Sequence, residues 1–193
     1  MPGEPFGRRS RKPAGCMEDA TVTRRMEHRA NGYCYRADYV LADKPGCVGF
    51  ILLNPAGVRR SAPGRTMQSC LAIARRHDCG RAIVGNLFAW PARRPKDLRG
   101  ADDPVGPGND RALAGLVRDS DFVVCAWGGS ARRLGATRAA QVVGLLRDAP
   151  CLYALGFTGR GQPIHPVARM PHRWLKVTAG EDGLLLPHEG PRP

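Results

Sequence analysis

Three side chains able to do chemistry without carrying a fixed charge stand at or beyond the ends of apolar runs. Asn54 closes VGFILLN and leads into Pro-Ala-Gly, Asn86 closes RAIVGN, and His165 sits in GQPIHP after the run CLYAL. Carboxamides and a neutral imidazole both donate and accept hydrogen bonds, which suits reading the edge of a heterocyclic base. Asn54, Asn86 and His165 are the candidate polar contacts to such a base, with Phe88, Trp90 and Trp127 as candidate aromatic surfaces. Each also has a plain structural role open to it: Asn54 as a turn former, Asn86 as a cap, His165 as a surface residue, the tryptophans as core.

A border of cations accompanies this neutral set. Arg59, Arg60 and Arg65 follow Asn54; Arg93, Arg94 and Lys96 follow Asn86; Arg132 and Arg133 follow Trp127; Arg160 and Arg169 flank His165. The 193 residues hold 30 Lys and Arg against 17 Asp and Glu, a formal charge of +13. Compositional bias toward arginine would scatter these residues, and an anionic membrane surface would also attract them. Their concentration in a few loops favours a phosphate backbone gripped outside a neutral pocket, so the expected partner is DNA, duplex or single-stranded. Gly128-Gly129-Ser130 ahead of a helical stretch adds backbone N–H groups for a phosphate.

The elements that would position these residues follow from the hydrophobic pattern. Cys47–Leu53, Ala82–Asn86, Phe122–Ala126 and Cys151–Leu155 are short, continuous apolar runs, as in strands buried on both faces. Between them, Thr66–Arg76, Asn109–Val117 and Ala131–Leu146 carry apolar residues at helical spacing, with Leu134, Val142, Leu145 and Leu146 expected inward in the last. Asn31-Gly32 supplies the tight turn of an N-terminal hairpin. Strands alternating with helices predict a three-layer α/β/α domain around a central four-stranded parallel sheet, plus that hairpin. In such a sheet ligands sit beyond the carboxyl ends of the strands, the rim on which all these loops meet. The domain is expected over residues 21–178, with a basic mobile tail at 1–20 and a second mobile tail at 179–193.

Other functions are disfavoured by what the chain lacks. There is no G-x-x-x-x-G-K-[ST] phosphate loop and no G-x-S-x-G elbow, and Gly156-x-x-Gly159-x-Gly161 opens no helix. The seven cysteines (Cys16, Cys34, Cys47, Cys70, Cys79, Cys125, Cys151) are odd in number, form no C-x-x-C pair, and several lie in apolar runs. They read as reduced thiols, and His77 beside Cys79 lacks a second ligand pair, so no metal or cofactor is expected. Asp102 and Asp103 precede proline and are expected to start a turn. No apolar leader or membrane-length run is present, which points to a cytoplasmic protein, acting as a monomer.

The strings LLNP, NLFAW, PKDLRGADDPVGPGND, VVCAWG and GQPIHP, in that order, resemble an uncharacterised bacterial domain family over roughly Tyr33 to Arg173. More distantly the order resembles the uracil-DNA glycosylase superfamily. The resemblance implies a parallel four-stranded sheet with helices on both faces. It places Asn54 where that superfamily positions attacking water, which a carboxamide would orient rather than deprotonate, and Asn86 where it reads the flipped base. It places His165 in the late His-Pro motif, where it would stabilise the leaving base or grip the flanking phosphate. Stacking by Phe88 or Trp90 is an inference from this sequence, since the superfamily places its aromatic elsewhere. The chain departs from its relatives in the first loop, NPAGVRRSAPGRTMQSC, where Thr66 and Cys70 remain but the acidic pair is absent. After His165-Pro166 it reads VARM. These departures imply an unusual substrate or lost chemistry. The function expected is a monofunctional DNA glycosylase for a damaged or modified base. The alternatives are a non-catalytic nucleic-acid-binding protein, or an enzyme on a free nucleoside, nucleotide or modified RNA base.

Overall fold

The computed structural model describes residues 24–56 and 62–188. The basic tail expected at 1–20, Arg59, Arg60 and the last five residues lie outside the described residues. In chain order the elements are β1 (Arg24–Ala30), β2 (Tyr33–Val40), β3 (Cys47–Leu52), α1 (Arg65–Arg76), β4 (Arg81–Asn86), a 3-10 turn (Pro95–Gly100), α2 (Asn109–Arg118), β5 (Phe122–Cys125), α3 (Ala131–Leu145), β6 (Leu152–Ala154), β7 (Leu175–Ala179) and β8 (Leu185–Pro187).

The strands form one eight-stranded sheet in the order β1-β2-β4-β3-β5-β6-β7-β8. β3 pairs in parallel with β4 and β5, and β5 in parallel with β6. The flanking pairs, β1–β2, β2–β4, β6–β7 and β7–β8, are antiparallel. The hairpin is therefore no appendage. Its second strand hydrogen-bonds to β4, and its turn uses Asn31 and Gly32 at φ of 50° and 84°, the positive values a two-residue hairpin turn needs.

Alternation along the inner strands divides the core in two. Cys47, Ile51, Ile83, Val123 and Cys125 pack with Leu113, Leu116 and Val117 of α2 and Val142 and Val143 of α3 on one face. Val48, Phe50, Leu52, Ala82, Val84 and Val124 pack with Cys70, Leu71, Ile73 and Ala74 of α1 on the other. All the described cysteines are free thiols. No helix among the described residues is long and apolar enough to cross a membrane.

Two expectations need correcting. The chain beyond Ala179 is not a loose tail up to residue 188. A turn at 180–184, in which Gly180 N–H donates to the Leu184 carbonyl at 2.8 Å, returns it as β8, and Leu185 enters the α2/α3 core. The helix at 131–145 is not a regular amphipathic cylinder. Gly135 leaves helical geometry (φ 178°, ψ 71°); Val142 and Leu146 are buried as expected and Leu134 packs against the core, but Leu145 is exposed while Arg138 is buried.

Candidate functional site

A cavity of about 680 Å³ opens beside α1, bounded by the carboxyl ends of β3 and β4, the loop after β5, the loop carrying His165 and the inner face of the hairpin. Sheet register explains why both asparagines reach it. Leu52 lies opposite Asn86 in the parallel β3–β4 pair, and Asn54, two residues further, returns to the same face. Asn54, Asn86, His165 and Trp127 all line the cavity.

The three polar groups are held differently. Asn54 donates both amide hydrogens of its side chain to backbone, to the Pro55 carbonyl at 2.9 Å and the Ala92 carbonyl at 2.8 Å. Its carboxamide is thereby fixed, and Oδ1 keeps its acceptor capacity. Asn86 is 5 % exposed, and its Oδ1 is buried without a hydrogen-bond partner. Its backbone is clamped from the opposite side of the sheet. Asn109, first residue of α2, donates Nδ2 to the carbonyls of Asn86 (3.1 Å) and Leu87 (2.9 Å), and Arg138 Nε adds a bond to Leu87 at 2.8 Å. These two clamping residues were not anticipated from sequence, where Asn109 reads as a helix start.

Burial lowers the pKa of His165 from its ordinary value, which keeps the imidazole neutral at pH 7. Nδ1 accepts the Val167 N–H at 3.4 Å, so the single ring proton sits on Nε2 as a donor. The loop bearing His165 is laced to the β5 loop: Gly128 N–H donates to the Pro163 carbonyl at 2.9 Å, and Trp127 Nε1 donates to Gln162 Oε1 at 3.0 Å. Gly128 sits at φ +77°, and a β-carbon there would stand 3.1 Å from the β-carbon of His165. Only glycine allows that approach.

Not every expected residue arrives. Phe88 is 3 % exposed in the α2/α3 core, where its ring fills the space left by Gly135; it does not line the cavity. Trp90 is 36 % exposed and packs edge-on against Tyr33 with ring centroids 5.4 Å apart, also outside the cavity lining. The aromatic groups that do line it are Trp127 and Tyr39. Asp103 makes the expected turn, accepting the N–H groups of Val105 and Gly106 at 3.0 Å each.

The basic set divides. Arg65, Arg93, Gly128, Gly129 and Ser130 line the cavity. Lys96 and Arg133, with Arg99 and Ser130, line a shallower neighbouring hollow of about 250 Å³. Arg94 is turned to an ion pair with Asp97 at 3.1 Å. Arg132, Arg160 and Arg169 are exposed and line neither.

One wall was missed altogether. Arg25, Glu27 and Arg29 alternate along β1 and so share a face, and all three line the cavity with Cys34 and Tyr39 of β2. Arg29 Nε donates to Glu27 Oε2 at 2.7 Å, Arg25 pairs with Glu27 Oε1, and the Arg25 guanidinium lies 5.6 Å from the Tyr39 ring centroid. Burial works to raise the Glu27 carboxyl, but the Arg29 hydrogen bond and both guanidinium charges outweigh it and hold the pKa below the ordinary value. The signal lies in the alternation of Arg25, Glu27 and Arg29 with Met26 and His28. No group of His, Cys, Asp and Glu among the described residues could hold a metal ion.

The arrangement can seat a flat polar ligand against a fixed carboxamide acceptor, a second carboxamide with an unmet acceptor and a neutral imidazole donor, with guanidinium groups around it. No curated protein and no solved structure matches the chain. Residues 35–167, more than half of its length, match the model of the family described as Protein of unknown function (DUF1643), and the chain belongs to that family.

Proposed function

We propose that the cavity receives a nucleobase turned out of DNA and that the protein hydrolyses its N-glycosidic bond. The observation that carries this reading is the Asn86 carboxamide. A buried acceptor left unpaired costs about 1–3 kcal/mol, and Asn86 Oδ1 is in that state on a residue lining the cavity. Turning the carboxamide about its last side-chain torsion would bring that oxygen to an N–H on the edge of an extruded base. The resemblance to uracil-DNA glycosylases, which implied these roles for Asn54, Asn86 and His165, supports the same reading.

In the reaction, a water oxygen bonds to the anomeric carbon as the carbon–nitrogen bond breaks, and the bonding pair leaves with the base. Asn54 Oδ1 accepts a hydrogen bond from that water and aligns it; the proton it loses passes to solvent or to the departing base. His165 Nε2–H donates to the base as negative charge develops, a stabilisation that a preset neutral donor supplies without reorganisation. Arg65, Arg93 and the Gly128–Ser130 backbone hold the phosphates beside the extruded nucleotide.

The test is incubation with DNA carrying a panel of damaged and modified bases, followed by alkali to cut at abasic sites. Wild type is expected to cut at one class of base. Asn54→Ala is expected to lose about 10²–10³ in rate, the range for removing one preset polar group, while binding the same DNA. Absence of cutting across a broad panel, or equal loss of cutting and binding in Asn54→Ala, would overturn the reading. A second reading, an enzyme on a free nucleoside or nucleotide, is favoured by the hairpin wall, which closes the far side of the cavity. Its turnover would be insensitive to salt, whereas DNA binding weakens steeply.

A further inference from the structure

We infer that the hairpin wall is an anion subsite of the same cavity, formed by Arg25 and Arg29 with Glu27 between them, and that the natural substrate carries an anionic group there in addition to the phosphates held at the rim. The inference rests on the cavity being the substrate site.

Size is the first ground. About 680 Å³ lies within the roughly 300–1,000 Å³ that houses drug-sized ligands, and one unsubstituted base fills a fraction of it. Charge is the second. Among the described lining residues, Arg25, Arg29, Arg65 and Arg93 are cations, and Glu27 is the one carboxylate. Position is the third. Arg65 and Arg93 follow the ends of β3 and β4, whereas Arg25 and Arg29 stand on the sheet edge. β1 is two strand spacings from β4, about 10 Å at the usual separation, so a phosphate at the rim does not use the hairpin arginines.

The wall is built rather than incidental. Glu27 is 14 % exposed in its side chain and bonds Arg29 through one oxygen and Arg25 through the other. The Tyr39 ring backs Arg25. Glu27 orients both guanidinium groups and leaves a net positive wall, in which the Arg29 fork, bonded to Glu27 through Nε, presents its terminal N–H groups to carboxylate or phosphate oxygens. Register places Glu27 opposite Ala37 and Ala37 opposite Val84, so the wall lies abreast of the residues leading to Asn86. A ligand read by Asn86 must therefore extend on the order of 10 Å along the sheet normal to its strands to reach β1. Two sources have that reach: an acidic substituent on the base of a DNA nucleotide, or the 5′-phosphate of a free nucleotide.

The experiment measures binding of the full chain to four probes. Two are single strands carrying one uracil with a carboxyethyl group on its ring, or the matching carboxamide. The others are deoxyuridine monophosphate and deoxyuridine. A preference of about tenfold or more for the carboxylate strand over its amide, lost in Arg29→Gln and partly kept in Arg29→Lys, supports the subsite with the base substituent as its source. The same preference for the monophosphate over the nucleoside, lost in Arg29→Gln, supports it with a nucleotide phosphate as source. No charge preference with either pair, or one that survives both Arg29→Gln and Arg25→Gln in chains whose unfolding midpoint matches wild type, overturns it. A charge preference without base excision leaves the subsite standing and removes the glycosylase reading.

Discussion

Asn86 and Asn54 show two ways in which a fold leaves the oxygen of a carboxamide unpaired or open. Asn54 has its amide hydrogens spoken for by two carbonyls, and only its oxygen remains for chemistry. Asn86 has the reverse problem, an oxygen that the fold does not satisfy. Replacing Asn86 by Leu removes that unpaired acceptor and adds apolar surface beside Leu52 and Val84. The ligand-free protein is expected to gain about 1 kcal/mol in urea unfolding, while base excision is lost. A loss of stability of similar size would instead mark Asn86 as structural. His165 gives a pH-dependent counterpart. Its folded pKa lies below the ordinary 6.5 because burial disfavours the imidazolium. Between the folded value and 6.5 the unfolded chain therefore binds more protons, and stability falls as pH drops through that window. His165→Gln is expected to show a smaller decline in urea midpoint from about pH 7.5 to about pH 5.5. Because Nε2–H is present in the neutral ring and in the imidazolium alike, and the pKa lies below the ordinary value, excision is expected to stay flat across neutral pH.

At the scale of elements, the site is an agreement between loops and strand ends enforced from behind. The β4 end is pinned by Asn109 of α2 and Arg138 of α3, which reach through to its last carbonyls. The imidazole is pinned by contact with a residue that has no side chain. Gly128→Ala would place a methyl group in left-handed backbone, at about 1–2 kcal/mol, and 3.1 Å from the His165 β-carbon. The expected result is a lower melting temperature together with a disproportionate fall in excision at saturating DNA, because the His165 loop must shift. A fall in stability alone would show that His165 position does not limit the reaction. Elements also account for what sequence conveyed poorly. The runs around Val48, Ile83 and Val124 are legible as strands because burial on both faces leaves no polar interruption. β1 is equally a strand, yet RRMEHR reads as solvent-exposed, since charges on an edge strand ordinarily face water. Its inward face became visible only when β2 paired with β4 and laid the hairpin over the cavity.

For the whole molecule, the distribution of charge matters more than its total. The +13 excess is a statement about partners, but only part of the expected border surrounds the cavity. Arg93 lines the cavity near its mouth and is exposed, so Arg93→Gln is expected to weaken binding to all DNA sequences alike and to flatten the slope of log K against log salt by about 1. Arg94, paired with Asp97, is expected to change that slope less. A change in base preference in Arg93→Gln would contradict a phosphate role. The two hollows share Pro95 and Ser130 and so form one continuous basic margin along the start of α3.

Local pattern alone determined the alternating α/β class, the hairpin turn at Asn31-Gly32, and the delivery of Asn54, Asn86 and His165 by separate segments. These follow from hydrophobic period and turn chemistry, which act over a few residues. Tertiary structure decided the rest: Phe88 went to the opposite core, Trp90 to Tyr33, and Arg25, Glu27 and Arg29 into the cavity. Which face a side chain takes at the end of a strand, and which wall an edge strand provides, depend on strand order and on which cavity offers the better packing, and neither is encoded in a local window.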